Sequence, residues 1–213
     1  MSVQTTFSKI GQVIEENQSF LVISHMNPDG DAIGSTIALG HVLENLGKTV
    51  HYRNQDGVPR SLDFLPHAEA VKRPEAEPLD VDVVFALDCA TQPRLGEGAL
   101  HVASKAKLMV VIDHHKTNTQ YGDLNYIDSG SPATGQILYR LFQDQGYEIT
   151  DVARDNIYVA VSTDTGSFRY RGTTTETYEM AADLVGKGLD VSQINEDTYE
   201  RRPLRRVQLL GEL

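Results

Sequence analysis

The sequence predicts an α/β protein with a doubly wound, mainly parallel sheet flanked by helices. Short and almost continuous apolar runs recur along the chain, which is typical of parallel strands that are buried on both faces. Helical patterns or long connections separate these runs, as a crossover between parallel neighbours requires. Glycine and proline stand at the ends of several apolar segments and mark their limits. At 213 residues, the chain is long enough for one generous domain of this class.

The N-terminal half alternates between helical and strand patterns. Apolar side chains at helical spacing predict a first helix over residues 6–16 and a second from Asp31 to Leu46, where Gly47 stops it. The Pro- and acid-rich stretch 65–80 is interpreted as a surface connection. Four apolar runs predict the strands of the sheet, namely FLVIS (20–24), TVHYRN (49–54), VDVVFALD (81–88) and KLMVVID (107–113).

The C-terminal part is predicted to be helical. Its first pattern opens with Ser-Pro, a common helix start, and glycines close the first three patterns. The four patterns cover residues 131–146, 150–166, 175–188 and 190–200. The final segment, RRPLRRVQLLGEL (201–213), predicts either a short terminal helix or a cut within a longer chain.

Composition limits the partners of the chain. The formal charge is -11, from 19 basic and 30 acidic residues, so the surface as a whole does not attract a nucleic-acid backbone. An anionic ligand must be recruited by a metal or by a few local cations.

Cys89 is the only cysteine, which excludes an internal disulfide and suits a reducing cytosol. Because we find neither a secretory h-region nor a run of about 18 apolar residues, we expect a cytoplasmic location and no membrane contact.

Polar residues follow the predicted strands directly. The segment SHMNPDGDAIGS follows the first strand, LDCATQPRLG the third and IDHHKTN the fourth, and STDTGSF ends the helix over 150–166. Open parallel sheets bind ligands at the carboxyl ends of their strands, so we expect these segments to face one cleft. The side chains that they bring there are His25, Asp29, Asp31, Asp88, Asp113, His114, His115 and Asp164.

This set of side chains favours a metal centre. Five carboxylates in one crevice repel one another unless cations lie among them. Mixed carboxylate and imidazole ligands suit Mn²⁺ better than an all-oxygen Mg²⁺ cage or a thiolate Zn²⁺ site. Two such ions, about 3.5 to 4 Å apart, activate a water and clamp the phosphate that it attacks. Each segment alone is most simply a turn or a helix cap, but their coincidence at three strand ends predicts hydrolysis of a phosphoester or phosphoanhydride.

Four ordered motifs carry a family resemblance. HMNPDGDAIGS, LDCATQPRLG, VVIDHHKTN and STDTGSFRY, spread over about residues 20–172, resemble the four motifs of the DHH phosphoesterase superfamily. The first and last are most similar to the nano-RNase and pAp-phosphatase branch, whose members degrade very short RNAs and dephosphorylate adenosine 3',5'-bisphosphate (pAp). The resemblance implies a manganese-dependent phosphohydrolase for short oligoribonucleotides and pAp, with Mg²⁺ or Co²⁺ as substitute ions.

The resemblance also implies a role for each motif residue. The implied metal ligands are His25, Asp29, Asp31, Asp88, His114 and Asp164. The first two belong to one ion, Asp88 bridges both ions, and the other three belong to the second ion. His115 would contact the substrate phosphate, and Asp113 would orient an imidazole, as metal-bound histidines commonly require. Successive strand residues point to opposite faces, so we expect only one of the adjacent histidines to reach a metal.

Three basic residues next to the motifs are candidates for binding a second phosphate or the ribose edge. These are Arg94, Arg169 and Lys116. Exposed arginines usually make surface pairs of little consequence, and that alternative stays open. The expected partners are therefore short RNA or pAp, with no membrane partner, and a homodimer is left open.

The resemblance predicts a domain division as well. Members of this branch usually continue into a smaller DHHA1 domain with a glycine-rich, GGGH-like segment, which is not found in this sequence. We therefore expect a DHH metal-binding catalytic domain over residues 1–190. A helical linker over 191–213 would lead toward the DHHA1 substrate-binding domain, whose absence would impair turnover.

Two further functions stay open at this point. One is a cyclic di-AMP phosphodiesterase or a pyrophosphatase-like enzyme of the same superfamily. The other is a non-catalytic nucleotide-binding module, although such a module would not need the full set of metal ligands.

Overall fold

A parallel sheet forms the centre of the protein. The structure, a computed structural model, describes residues 3–201, so most of the segment 201–213 lies outside the described residues. The strands are β1 (Val3–Gln4), β2 (Ser19–Ser24), β3 (Thr49–Arg53), β4 (Val83–Leu87), β5 (Leu108–Asp113) and β6 (Leu124–Ile127). They are ordered β1-β6-β5-β4-β2-β3, and every neighbouring pair is parallel. The predicted fold class is confirmed.

Helices cover both faces of this sheet, but unevenly. They are α1 (Phe7–Glu16), α2 (Gly30–Asn45), α3 (Glu97–Val102), α4 (Thr134–Gln145), α5 (Asp151–Asp164), α6 (Thr175–Gly186) and α7 (Val191–Asn195). One face, which includes Phe20 and Phe85, packs against α1, α2 and α4. The other face, which includes Leu21 and Val84, is covered by α3 and the turns on either side of it. Side chains of adjacent strand residues alternate between these clusters, as a buried parallel strand requires.

Small residues bring α5 close to two other helices. α5 packs across α2 and α4 on their outer side. A Cβ added at Gly34 of α2 would lie 2.5 Å from the backbone oxygen of Asn156, and one added at Gly135 of α4 would lie 2.6 Å from the Cβ of Ala160. Glycine is therefore required at both positions for this close approach, which carries the end of α5 toward the sheet edge where α2 and α4 begin.

The structure differs from the sequence prediction at several elements. The sequence patterns do not predict β1, β6 or α3. β1 and β6 are only two and four residues long, and β6 follows β5 without an intervening helix. α3 is only six residues long. The helix expected over 190–200 divides into α7 and a π-helical turn over Glu196–Glu200. The helix expected from residue 131 begins only at Thr134.

No helix formed by residues 3–201 is both long enough and apolar enough to cross a membrane.

We expect Gly34→Ala to destabilise the fold. The added methyl group would collide with the Asn156 carbonyl, so α2 and α5 must move apart, at a cost of about 1–3 kcal/mol. Urea unfolding followed by circular dichroism measures the free energy of unfolding. Gly186→Ala is the matched control, since a Cβ there meets nothing within 4 Å and should leave stability unchanged or slightly raised. Equal free energies of unfolding for the two variants would contradict a close α2–α5 contact.

Candidate metal centre

The predicted site residues meet at the carboxyl edge of the sheet. β2, β4 and β5 are neighbours there, and each is followed by one polar segment. α2 begins and α5 ends at the same edge. Together these elements bring the following residues into one cluster: His25, Asp29, Asp31, Asp88, Asp113, His114, His115 and Asp164.

The first group of donors lies after β2. His25 Nε2 is 3.8 Å from Asp29 Oδ1 and 3.5 Å from Asp88 Oδ2. The other ring nitrogen, Nδ1, lies 2.8 Å from the backbone oxygen of Met26, to which it can donate a hydrogen bond. That contact favours the neutral tautomer in which Nε2 carries the lone pair. The three donors lie within 4.8 Å of one another, which is close enough to hold one ion.

The second group surrounds His114. Its Nε2 lies 3.8 Å from Asp31 Oδ2, 3.4 Å from Asp88 Oδ1 and 3.3 Å from Asp164 Oδ2. Nδ1 faces the backbone oxygen of Ser131 at 3.3 Å, so Nε2 is again the free donor. This Nε2 is buried and has no hydrogen-bond partner among the described residues, although three carboxylates surround it. A buried nitrogen in that position fits a metal ligand.

Asp88 is shared between the two groups. Its Oδ2 faces His25, and its Oδ1 faces His114. The residue directly follows β4 and has a backbone φ of 51°, a left-handed conformation that is uncommon for aspartate. Such local strain is often found at functional sites. A carboxylate with one oxygen toward each group has the arrangement that a bridging ligand needs.

The adjacent histidines have different partners. Asp113 Oδ1 lies 2.7 Å from His115 Nδ1 and accepts a hydrogen bond from the backbone N–H of His114 at 2.9 Å. Asp113 therefore orients the His115 ring, whereas the His114 ring is oriented by Ser131. The alternation of strand side chains predicts that the two rings point in opposite directions, and this is wrong: their centroids are 4.5 Å apart. The alternation does not apply because β5 ends at Asp113 and both histidines lie in the loop beyond it.

His115 also lies close to the shared carboxylate. Its Nδ1 is 3.6 Å from Asp88 Oδ1, and Asp88, His114 and His115 form a third set of donors within 4.8 Å. To ligate through Nδ1, His115 would have to lose its contact with Asp113. Within residues 3–201, its contacts with carboxylates are all made through Nδ1, and Nε2 forms no hydrogen bond.

The N-terminus of α4 supports the centre in a way that sequence reasoning missed. Asp31 is fully buried, and its carboxylate accepts hydrogen bonds from the backbone N–H groups of Thr134 (2.6 Å) and Gly135 (2.9 Å) and from the Ser35 hydroxyl (2.9 Å). The hydroxyl of Thr134 donates to Asp88 Oδ1 at 3.2 Å. The signal in the sequence was the run SPATG of small residues before a helix, which we interpreted only as a helix start.

The pKa values describe a centre that requires positive charge. Burial and the charges of Asp88 and Asp164 raise the pKa of Asp31 well above its usual range. Burial and nearby carboxylates also raise the pKa of Asp164 to about 7. Burial alone would lower the pKa of His25 and His114, but the surrounding carboxylates outweigh it and raise both values to about 10. Protons or metal ions must therefore accompany these carboxylates, and the donor set fits divalent cations.

The three candidate substrate residues lie in different places. Arg94 lies beside His25: its Nη2 is 3.5 Å from Nδ1, the ring nitrogen that does not face the carboxylates, and its backbone oxygen accepts a hydrogen bond from the N–H of Met26. Arg169 lines a separate cavity with Asn195 and Tyr199, and its Nε donates to the backbone oxygen of Gly166 at 2.6 Å. Lys116 is exposed beside His115. Within residues 3–201, neither Arg169 nor Lys116 forms an ion pair with the carboxylates of the centre.

Comparison with known families gives a consistent picture. The model of the N-terminal domain of the DHH family matches residues 19–163. The bifunctional oligoribonuclease and PAP phosphatase NrnA of Thermus thermophilus is 33% identical over 193 residues, which cover 90% of this chain and 57% of the relative. The protein of the same name from Bacillus subtilis is 31% identical over 193 residues, which cover 88% of this chain and 58% of the relative.

Solved structures agree with this fold. An exopolyphosphatase-related protein from Bacteroides fragilis superposes with a TM-score of 0.91 at 26% identity, and the match covers 97% of this chain and 63% of that protein. The chain thus spans less than two thirds of the length of the relatives named above.

We expect the binding of Mn²⁺ near neutral pH to release protons. The pKa values of His25 and His114 are raised to about 10, and a metal requires the neutral imidazole, so the ion has to displace protons. The apparent affinity should therefore increase as the pH rises toward 10. Titration calorimetry in two buffers of different ionisation enthalpy counts the protons released. An affinity that is the same at about pH 6 and about pH 9 would contradict this competition.

Proposed function

The chain belongs to the DHH family, and we propose that it carries the two-metal centre of a manganese-dependent phosphohydrolase that acts on short oligoribonucleotides and on pAp. The observation that carries the proposal is the position of the Asp88 carboxylate, whose Oδ2 faces His25 and whose Oδ1 faces His114. Through its two oxygens, Asp88 would help to hold two ions, which would supply Lewis-acid activation for attack of water on phosphorus.

The choice of substrate is supported by the relatives. Those from Thermus thermophilus and Bacillus subtilis are named as oligoribonucleases and PAP phosphatases, and both match nearly the whole of this chain. A probable manganese-dependent inorganic pyrophosphatase from Staphylococcus haemolyticus is 29% identical over 84% of this chain, which supports Mn²⁺ as the metal. It also makes pyrophosphate the most informative competing substrate.

In the proposed mechanism, the side chains of the centre would bind the metal ions and hold them in place. His25 and Asp29 would hold one ion, and Asp31, His114 and Asp164 the other. When bound, the two ions would supply Lewis-acid activation of a water and neutralise phosphate charge.

The remaining steps belong to residues near the substrate. His115, held through Nδ1 by Asp113, would present Nε2 to a phosphate oxygen as negative charge develops there. The guanidinium of Arg94 would bind the phosphate from the His25 side. The oxygen of water would bond to phosphorus and the P–O bond to the leaving nucleotide would break. The water would lose one proton and the leaving oxygen would gain one, so the hydrolysis balances. Asp113 keeps His115 in one orientation throughout, so less reorganisation is needed.

The proposal includes the domain division and the location. Residues 1–190 would form the metal-binding catalytic domain, and 191–213 would be a helical linker toward a substrate-binding domain. A cytoplasmic location stays a prediction. Arg169 and Lys116 stay candidates for substrate phosphates beyond the one that is attacked.

The sharpest test is turnover of three substrates with Mn²⁺. We expect hydrolysis of pAp and of a diribonucleotide, and Asp88→Asn should lower turnover by at least about 100-fold because a neutral amide cannot balance two ions. Asp80→Asn is the matched control, since Asp80 is exposed and lies before β4, away from the carboxyl edge. Hydrolysis of pyrophosphate alone would overturn the choice of branch. Absence of bound Mn²⁺ in elemental analysis would favour a non-catalytic nucleotide-binding module, whereas about two Mn²⁺ ions per chain would favour the enzyme.

Substitution of each of the two adjacent histidines should have a different effect on metal binding and turnover. We expect His114→Ala to reduce the bound Mn²⁺, because His114 Nε2 faces three carboxylates, and His115→Ala to keep the metal but slow turnover. Elemental analysis of the purified variants measures metal content, and steady-state kinetics on pAp measures turnover. If both variants lose the same amount of metal, His115 is a ligand and not a contact to substrate.

A further inference from the structure

Asn118 has a fully bonded side chain in the loop after the two histidines. Its Nδ2 donates to Asp113 Oδ2 at 2.6 Å and to the backbone oxygen of Cys89 at 3.1 Å, and its Oδ1 accepts from the backbone N–H of Gln120 at 2.6 Å. Both amide hydrogens thus have acceptors and the amide oxygen has a donor. These three partners determine which way the amide faces.

The contact with Asp113 acts on His115. Asp113 is completely buried; one of its oxygens is bound by His115 and the other by Asn118. With both oxygens bound, the carboxylate plane cannot rotate without breaking a hydrogen bond. Without Asn118, Oδ2 would lose this donor, and a buried carboxylate oxygen that lacks a donor favours rotation of the carboxylate toward another one. Rotation would move Oδ1 away from the Nδ1 of His115.

The contact with Cys89 joins two strand ends. Cys89 follows Asp88, which has the left-handed φ of 51° described above. The same carbonyl also accepts a hydrogen bond from the hydroxyl of Tyr121 at 3.1 Å. The backbone N–H of Thr119 donates to the backbone oxygen of Ala90 at 3.0 Å, so the loop is attached to this turn without Asn118 as well.

We propose that Asn118 is a positioning residue, which holds the Asp113 carboxylate so that His115 presents Nε2 to the substrate phosphate. This role rests on the proposed phosphohydrolase function. The competing explanation is that Asn118 only fastens the loop. The structure favours the positioning role because Tyr121 and Thr119 already attach the loop to the turn after β4. Among the described residues, the hydrogen bond to Asp113 Oδ2 comes from the side chain of Asn118.

Kinetics on pAp with Asn118→Ala test the proposal. We expect kcat to fall by about 10- to 100-fold, the range typical for residues that orient catalytic groups, with KM changed less than kcat and the Mn²⁺ content unchanged. Thr119→Ala is the matched control, because the exposed Thr119 contributes its backbone to the loop. Tyr121→Phe removes the second hydrogen bond to the Cys89 carbonyl and leaves Asp113 untouched. If Tyr121→Phe slows turnover as much as Asn118→Ala does, the loop attachment is responsible and the proposal is wrong.

A double-mutant cycle with His115→Ala decides whether Asn118 acts through His115. If it does, Asn118→Ala should cause no further loss of kcat in the His115→Ala background. Independent, multiplicative losses would overturn the proposal. Thermal unfolding of each variant shows that the folded protein is being assayed, and Asn118→Ser is the second variant if alanine prevents folding.

A spectroscopic measurement keeps the test independent of activity. ¹⁵N NMR of the histidine rings, with Mg²⁺ in place of paramagnetic Mn²⁺, should show His115 with its proton fixed on Nδ1 in the wild type and exchanging between tautomers in Asn118→Ala. An unchanged His115 signal in the variant would overturn the positioning role. If the wild-type protein hydrolysed no phosphoester, the proposed function would fail, and this measurement would still decide the role of Asn118.

Discussion

Five carboxylates meet at one edge of the sheet, and much of the surrounding structure depends on how their charge is accommodated. Asp31, Asp88 and Asp113 are almost completely buried, and a buried charge without partners costs several kcal/mol. Each has hydrogen-bond donors: the first amides of α4 for Asp31, the Thr134 hydroxyl for Asp88, and the Asn118 side chain in the loop after β5 for Asp113. The positions of α4 and of the loop after β5 are therefore tied to the charge that they solvate.

The same constraint links the centre to the packing of the helices. Asp164 ends α5, which lies outside the layer of α2 and α4, yet its carboxylate reaches His114. This is possible because glycines at the crossing let α5 approach both helices closely. A substitution in this apolar contact would displace a charged group of the centre. Core packing and the geometry of the carboxylate cluster are thus coupled, as is common where interiors are close-packed.

The sequence alone could predict the residues that converge on the centre, because parallel strands bring their carboxyl ends to one edge and the polar residues there stand out. The sequence could not predict the hydrogen-bond donors that hold the side chains of these residues in place. Thr134 and Gly135 bind Asp31 through backbone N–H groups, which have no signature in a sequence, and they are more than 100 positions away along the chain. Asn118 is close to Asp113 in sequence, but an asparagine in a loop after a strand most often serves as a turn residue. Short strands such as β6 were missed because neighbouring strands supply most of their stability.

The charge of the whole chain bears on the length of substrate that the proposed function would allow. With a net charge of -11, the protein would attract phosphate only close to the proposed metal ions and to cations such as Arg94. Binding of a long single strand gains from each phosphate that meets a basic groove, and an acidic surface offers no such gain. Under the proposed function, a substrate of two or three nucleotides has few phosphates to accommodate, whereas each further nucleotide adds a phosphate that the net negative charge repels. Electrostatics therefore favours short substrates for the proposed function.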